Sequence, residues 1–324
     1  MNEWLLNNLV CPRDKQNLEY SDDRLTCTAG HVYPVFDDIP VMLVDDVETT
    51  HDYITRSLEK VRGSRSETEE TVSKNGEIDE FVQGEIPYTS GIMYFSVQNK
   101  LTRYPIPETR LPKGSGERLL DIGCNWGRWS IAAAQKGYKP IGMDPSLDAV
   151  LAARRVSKQL GVETDFIVGD ARFLPFADNA FDTVFSYGVF QHFSKDNVRI
   201  SLAEASRVLK ANGLGVFQMP NKYGIRSYQQ RRRRNFTEGE GFEVRYWTPK
   251  ELIETFEKQF GETKLSADCY LGLGVLKSDI DLLPMKYRAV VHVSEFIKKV
   301  NKVIRPLTNL ADGVYLETIN QKKK

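Results

Sequence analysis

From Arg118 onward the chain alternates short apolar runs with longer amphipathic stretches. The apolar "LLDIG" leads into "GRWSIAAAQK", closed by Gly137, and the apolar "IGMD" leads into "PSLDAVLAARRVSKQL", closed by Gly161. Proline just inside a helix start and glycine just past its end mark helix boundaries, so this stretch predicts strand, helix, strand, helix. The series continues with "DFIVGD", "FDTVFSYG", the helical "SKDNVRISLAEASRVLK" and "GLGVFQM". Strands this apolar, set between helices, belong to a parallel sheet covered on both faces. A doubly wound α/β domain follows. Farther on, "TPKELIETFEKQF" puts Thr248 and Glu251 at capping-box spacing with Pro249 at the first helical position. An amphipathic helix is expected near residues 287–304, and "VYLETI" reads as a closing strand.

The N-terminal 46 residues follow a different rhythm: "LEY", "RLTC" and "HVYPVF" alternate with turn residues and end in "IPVMLV". These read as a few short strands in a small unit of their own. Residues 47–80, with the polar "RGSRSETEETVSKNGE", are expected to be a linker. Residues 81–117 carry a cluster of aromatics and read as a helical lid, and residues 222–247, inside the main domain of 118–324, as a cap over a substrate.

Composition narrows the classes. With 44 basic and 44 acidic residues in 324, the formal net charge is zero, so no whole-protein field favours nucleic acid or an anionic membrane. The start of the chain lacks the basic-then-apolar design of a secretory signal, and no run of about 18 apolar residues occurs. The four cysteines are too few and too scattered for a disulfide framework. A soluble cytoplasmic protein is expected.

In an open parallel sheet, ligands sit beyond the carboxyl ends of the strands where the winding reverses. That places the turn Gly123–Cys124–Asn125–Trp126–Gly127 at a binding site. A dinucleotide site would need glycines where this chain has Asn125 and Arg128. Asp121, at the end of the strand, would also repel phosphate. A ligand with an ammonium group and no phosphate fits better, and S-adenosylmethionine is one; its positive charges favour a nearby carboxylate. Asn125 can adopt the left-handed backbone that glycine usually supplies. Asp144, 23 residues beyond Asp121 and followed by Pro145 and Ser146, is placed to accept from both ribose hydroxyls. Asp170 can take an adenine amino group while the backbone of Ala171, beside Arg172, reads the ring edge. The fourth strand ends in Ser186, Tyr187, Gln191 and His192 around the methionine end and the reaction centre.

Four ordered motifs, "LLDIGCNWGRWS", "GMDPS", "GDARFLPFADNAFDTVFSYGVFQHF" and "EASRVLKANG", resemble those of class I S-adenosylmethionine-dependent methyltransferases over residues 118–220. The resemblance implies a mostly parallel, seven-stranded Rossmann-like sheet ending in an antiparallel hairpin, with "DGVYLETIN" supplying its last strand. Asn125 departs from the family's usual glycine.

Near the N-terminus, Cys11 and Asp14 in "CPRD" and Cys27 and His31 in "CTAGH" have nearly the spacing of a Cys-x2-Cys and Cys-x3-His zinc site. Zinc accepts thiolate, imidazole and carboxylate in tetrahedral geometry. The stretch resembles the small zinc-binding subunit that activates tRNA and translation-factor methyltransferases, and the zinc ribbon of ribosomal RNA guanine methyltransferases. A metal-free unit held by its own apolar core is the other reading. Zinc here would be structural.

Methyl transfer is a displacement at carbon that needs alignment and exclusion of water. An oxygen acceptor also needs its proton removed, for which His192 is the base to consider; a hydrogen-bonded filler is the alternative. Tyr88 and Tyr94, with Arg245, Tyr246 and Trp247, are candidates to close over the acceptor, or equally core aromatics. The run Arg231 to Arg234 can hold phosphates or lie solvated in a loop. Zero net charge and the lack of a long basic stripe favour a small-molecule acceptor over RNA. Oligomeric state is not readable. A non-catalytic partner that binds cofactor and transfers nothing is the reading from another class.

Overall fold

The computed structural model describes residues 1–49, 52–63, 77–271 and 275–321. The N-terminal segment folds as helix α1 (Glu3–Asn8) and four short strands, β1 (Leu18–Ser21), β2 (Arg24–Cys27), β3 (Val32–Phe36) and β4 (Ile39–Met42). Helices α2 (Tyr53–Gly63) and α3 (Glu80–Ser90) follow, then a 3-10 turn over Ile92–Ser96. The expected linker is therefore helical over residues 53–63, because Ile54 and Ser57 bury against the start of the helix after Asp144, where Ser57 Oγ donates to Pro145 O at 2.8 Å. Most of its polar tract lies outside the described residues. The lid is helical only to Lys100.

The main domain runs β5 (Arg118–Ile122), α4 (Arg128–Gln135), β6 (Lys139–Asp144), α5 (Leu147–Gln159), β7 (Asp165–Gly169), β8 (Phe181–Tyr187), α6 (Lys195–Val208), β9 (Leu209–Pro220), α7 (Ile225–Arg233), α8 (Pro249–Phe260), β10 (Thr263–Cys269), α9 (Met285–Asn301) and β11 (Gly313–Ile319). The capping box of Thr248 and Glu251 forms as its spacing predicts. Arg231 to Arg233 end α7, where cations complement the helix dipole, instead of lying in a loop.

One sheet of eleven strands joins the chain, in the order β1-β2-β3-β4-β7-β6-β5-β8-β9-β11-β10. The seven strands of the main domain are contiguous in it, β7-β6-β5-β8-β9-β11-β10, and the four N-terminal strands extend the same sheet past β7 instead of forming the expected unit of their own. Strand β4 pairs in parallel with β7, Val41 opposite Val168 and Met42 opposite Gly169. All of its residues are buried, as a parallel strand's must be. From β4 to β9 along the order the pairs are parallel, while β11 runs antiparallel to both β9 and β10. Strand β5 starts the winding, with β6 on one side and β8 on the other, so the order of winding, not the strand direction, switches between β5 and β8.

Alternate residues of β5 feed two cores. Leu120 and Ile122 pack with Val198 and Leu202 of α6 and Phe256 of α8, whereas Leu119 faces Trp129 and Ala133 of α4. The N-terminal strands are welded to the first core through Leu25, Tyr33 and Phe176. Lys15 secures the junction, its Nζ 2.7 Å from Glu204 of α6.

Candidate active site

The turn after β5 is set by backbone geometry. Gly123 and Cys124 donate their N–H groups to Met143 O at 2.7 and 3.0 Å, tying the turn to the end of β6. Gly123 has φ +77°, and a Cβ there would stand 2.2 Å from Val189, so only glycine lets the loop after β8 approach. Asn125 takes φ +46°, the left-handed conformation expected of it, and Gly127 at φ +79° starts α4.

Beside this turn stand the strand-end acids. Asp144 lines a cavity of about 930 Å³ and accepts from the backbone N–H of Asn125 at 2.9 Å and of Ser146 at 3.0 Å. Burial nevertheless pushes its pKa up to about 6. Asp121 lies beneath the turn, outside the cavity lining, accepts from Ser130 Oγ at 2.6 Å, and is raised by burial to about 7. Asp170 lines the cavity, but its carboxylate is held by Arg172, whose Nη2 is 2.6 Å from Oδ2. Ala171 and Pro145 line the cavity beside these acids. Ser146 lies outside the lining as the N-cap of α5, its Oγ accepting from Ala149 N at 3.3 Å, and Ser186 Oγ donates to Ile122 O across the sheet.

The other end of the cavity lies over β9, β11 and the end of β10, roofed by α7. Tyr187 lines it with its hydroxyl donating to the partly buried Asp268 at 3.0 Å. Asp312 accepts from Ser227 N at 2.9 Å through Oδ1, while its buried Oδ2 has no partner among the described residues. Arg226, Gln230, Arg234 and Tyr246 complete this end. Arg234 alone of the arginine run lines the cavity, 2.9 Å from Glu243.

His192 lines the cavity between the two ends. Its Nδ1 is 2.6 Å from Phe242 O, which can only accept, so the proton sits on Nδ1 and Nε2 faces the side-chain amide of Gln191 at 3.1 Å. Gln191 also donates to Gly188 O at 2.9 Å. Tyr88 lines the mouth and is largely exposed.

Two of the expected acceptor aromatics sit elsewhere. Tyr94 is fully buried in the core under the lid, its hydroxyl 2.6 Å from Asp279, and Trp247 is buried beneath Lys195. Both are large apolar surfaces that the packing of α3 and α8 needs more than the cavity does. Arg245 lies outside the lining, its guanidinium 2.7 Å from His192 O, where it braces the loop after β8.

The structure adds residues that sequence reasoning did not assign. Glu85 of α3 lines the cavity and accepts from Asn125 Nδ2 at 3.1 Å. Arg128, 4 % exposed, donates to Thr89 O at 2.6 Å while its Nε finds no partner among the described residues. Gln218 and Asp312 arrive from β9 and the start of β11. Only the position of Arg128, one residue past the turn, was a local signal.

The N-terminal donors converge as well. One ligand atom from each of Cys11, Asp14, Cys27 and His31 lies within 4.8 Å of all the others. The separations are 3.4 Å from either sulfur to His31 Nδ1, 3.6 Å from Cys27 Sγ to Asp14 Oδ2 and 3.1 Å from His31 Nδ1 to Asp14 Oδ2. Ligand atoms about 2.0–2.3 Å from a tetrahedral zinc stand roughly 3.3–3.8 Å apart, a range that holds the three separations involving sulfur, with the His31–Asp14 pair slightly closer, so the donor types and their spacing suit that ion.

Residues 119–213 match the family described as "Methyltransferase domain". This stretch is similar to methyltransferase domains. A ubiquinone biosynthesis O-methyltransferase of Azorhizobium caulinodans is 31% identical over 107 residues, 33% of this chain and 42% of that protein. A demethylmenaquinone methyltransferase of Renibacterium salmoninarum is 37% identical over 99 residues, 30% of this chain and 39% of that protein. The chain thus spans about two fifths of the length of these relatives. A solved S-adenosylmethionine-dependent methyltransferase from Methanosarcina mazei superposes with a TM-score of 0.47 at 17% identity, over 68% of this chain and 99% of that one. The matched stretch holds the turn, Asp144 and Asp170, while Gln218, Arg226 and Asp312, at the other end of the cavity, fall beyond it.

Proposed function

We propose that the chain is an S-adenosylmethionine-dependent methyltransferase that methylates an oxygen or nitrogen of a small molecule. One observation carries this reading: Asp144, buried yet facing the cavity, sits beside a positive-φ turn that leaves room for a nucleoside. A carboxylate with a raised pKa gains from the two O–H donors of a ribose. Bound S-adenosylmethionine supplies a methyl group activated on a sulfonium.

The chain's own groups do the rest. Asp144 holds the ribose, and Ala171, with Asp170 braced by Arg172, frames the adenine. Asp121 supports the turn from below. Tyr187 and Gln191 border the reaction centre, and the lid residues Glu85, Tyr88 and Thr89 exclude water above it. His192, neutral with its proton on Nδ1, offers Nε2 to an acceptor hydroxyl once Gln191 swings aside. Asp312 and Tyr246, near Arg226 and Arg234, grip the acceptor. The quinone-pathway names of the relatives and the zero net charge support a small-molecule acceptor. Thiols with no disulfide fit a reducing compartment, the cytoplasm.

The test is transfer of labelled methyl from S-adenosylmethionine into a small-molecule extract and, separately, into bulk RNA. Label in a small molecule supports the reading; label in RNA makes this an RNA methyltransferase, and cofactor binding with label in neither makes it a non-catalytic partner. Cys11, Asp14, Cys27 and His31 would hold a structural zinc that pins β2 and β3 to the loop after α1. Elemental analysis should find about one zinc per chain, lost in Cys11→Ser with Cys27→Ser.

A further inference from the structure

Helix α9 buries one side and leaves the other to solvent. Val291 and Ser294 face inward, and Val291, with Tyr287 and Val290, joins the hydrophobic cluster that holds Val82 and Ile86 of α3 and Trp126. On the outer side Met285 is 85 % and Phe296 66 % exposed, Val293 is half exposed, and Val303 and Ile304 continue the strip past the end of the helix. At about 100° per residue, Met285, Ala289, Phe296 and Val300 fall within roughly 60° of one another. Single exposed apolar residues are ordinary, whereas a strip along a whole helix marks something that covers it.

The charges around the strip say what. From Met285 to Arg305 there are six basic residues and one acidic residue. Arg288 and Lys298 pair with Asp281 and Glu295. Lys286, Lys299, Lys302 and Arg305 form no ion pair among the described residues. A second copy of the chain would set two such basic strips against each other. An apolar face edged by free cations instead matches a surface of lipid tails beneath anionic headgroups.

We propose that this face of α9 docks the protein on membranes rich in anionic lipid. The helix lies on the surface, since none of the described helices is long and apolar enough to cross a membrane. The placement is coupled to the cavity. Met93, in the 3-10 turn after α3, shares the hydrophobic cluster with Tyr287 of α9, and its neighbour Ile92 lines the cavity mouth. Docking through α9 therefore leaves the lid beside the bilayer.

Sedimentation with vesicles tests this without any assumption about catalysis. The intact chain is mixed with vesicles of phosphatidylglycerol and phosphatidylcholine in equal parts, or of phosphatidylcholine alone. The wild type should pellet with the anionic vesicles, more weakly with the neutral ones, and less as salt rises. Phe296→Glu with Val303→Glu, and separately Lys299→Glu with Lys302→Glu, should each weaken binding by at least about tenfold with unchanged melting temperature. No sedimentation of the wild type, equal binding to both vesicle types, or a dimer that the Phe296→Glu, Val303→Glu variant dissolves would overturn the proposal.

Discussion

The two ends of the cavity are built by different means. At the end proposed for the nucleoside, backbone conformation does the work: positive φ at Gly123, Asn125 and Gly127, and N–H groups fixed to Met143 and Asp144. At the end proposed for the acceptor, side chains from β9, α7 and the approach to β11 converge, and polar capacity is left over, as at Asp312 Oδ2. A site made of backbone is committed to one ligand shape. A site made of side chains from several segments changes its ligand by substitution, without disturbing the sheet.

Substitutions can break this contrast. The largest effect is expected from Gly123→Ala, which combines a strained left-handed backbone with a clash against Val189, a loss of about 3 kcal/mol in stability together with cofactor binding. Adding Val189→Ala should restore the part due to the clash, as thermal denaturation would show. Next, Asp312→Ala should lower methyl transfer by roughly tenfold to a hundredfold once an acceptor is in hand. The same variant should leave affinity for S-adenosylhomocysteine within about twofold. A parallel loss of cofactor affinity would erase the distinction between the two ends. Glu85→Gln, which weakens the tie from the lid to Asn125, should cost about fivefold in cofactor affinity, measured by calorimetry.

The smallest effect concerns Asp121 and pH. Burial raises its pKa to about 7, so the folded chain keeps a proton that the unfolded chain has released. Its stabilising contribution is full below the ordinary carboxylate range and fades as pH rises through 7. The melting temperature of the cofactor-free wild type should therefore fall between pH 5 and pH 8 more steeply than that of Asp121→Asn. Cofactor binding, which favours ionised Asp144, should strengthen over the same interval.

The contrast also explains what could be read from the chain. The nucleoside end is local: an apolar strand, a turn of glycines and Asn125, and a helix lie within thirteen residues, and each strand-end acid follows its own apolar run. The acceptor end is not. Asp312 and Ser227 are 85 residues apart and meet only because β11 inserts between β9 and β10. Tyr94 and Trp247 show the reverse failure, since an aromatic near a predicted lid looks the same whether it faces a cavity or a core. The run "IPVMLV" reads in sequence as the end of a separate unit, yet its unbroken apolarity is what pairing with β7 requires.

The central claim is that Asp144 holds the ribose of an S-adenosyl nucleoside at the ends of β5 and β6. Calorimetric titration of S-adenosylhomocysteine into wild type and Asp144→Ala, each checked for an intact fold, tests it most directly. One site per chain in the wild type, weakened roughly a hundredfold in the variant, is the expected result. Equal affinity in the two proteins, or no binding to a folded wild type, would contradict it.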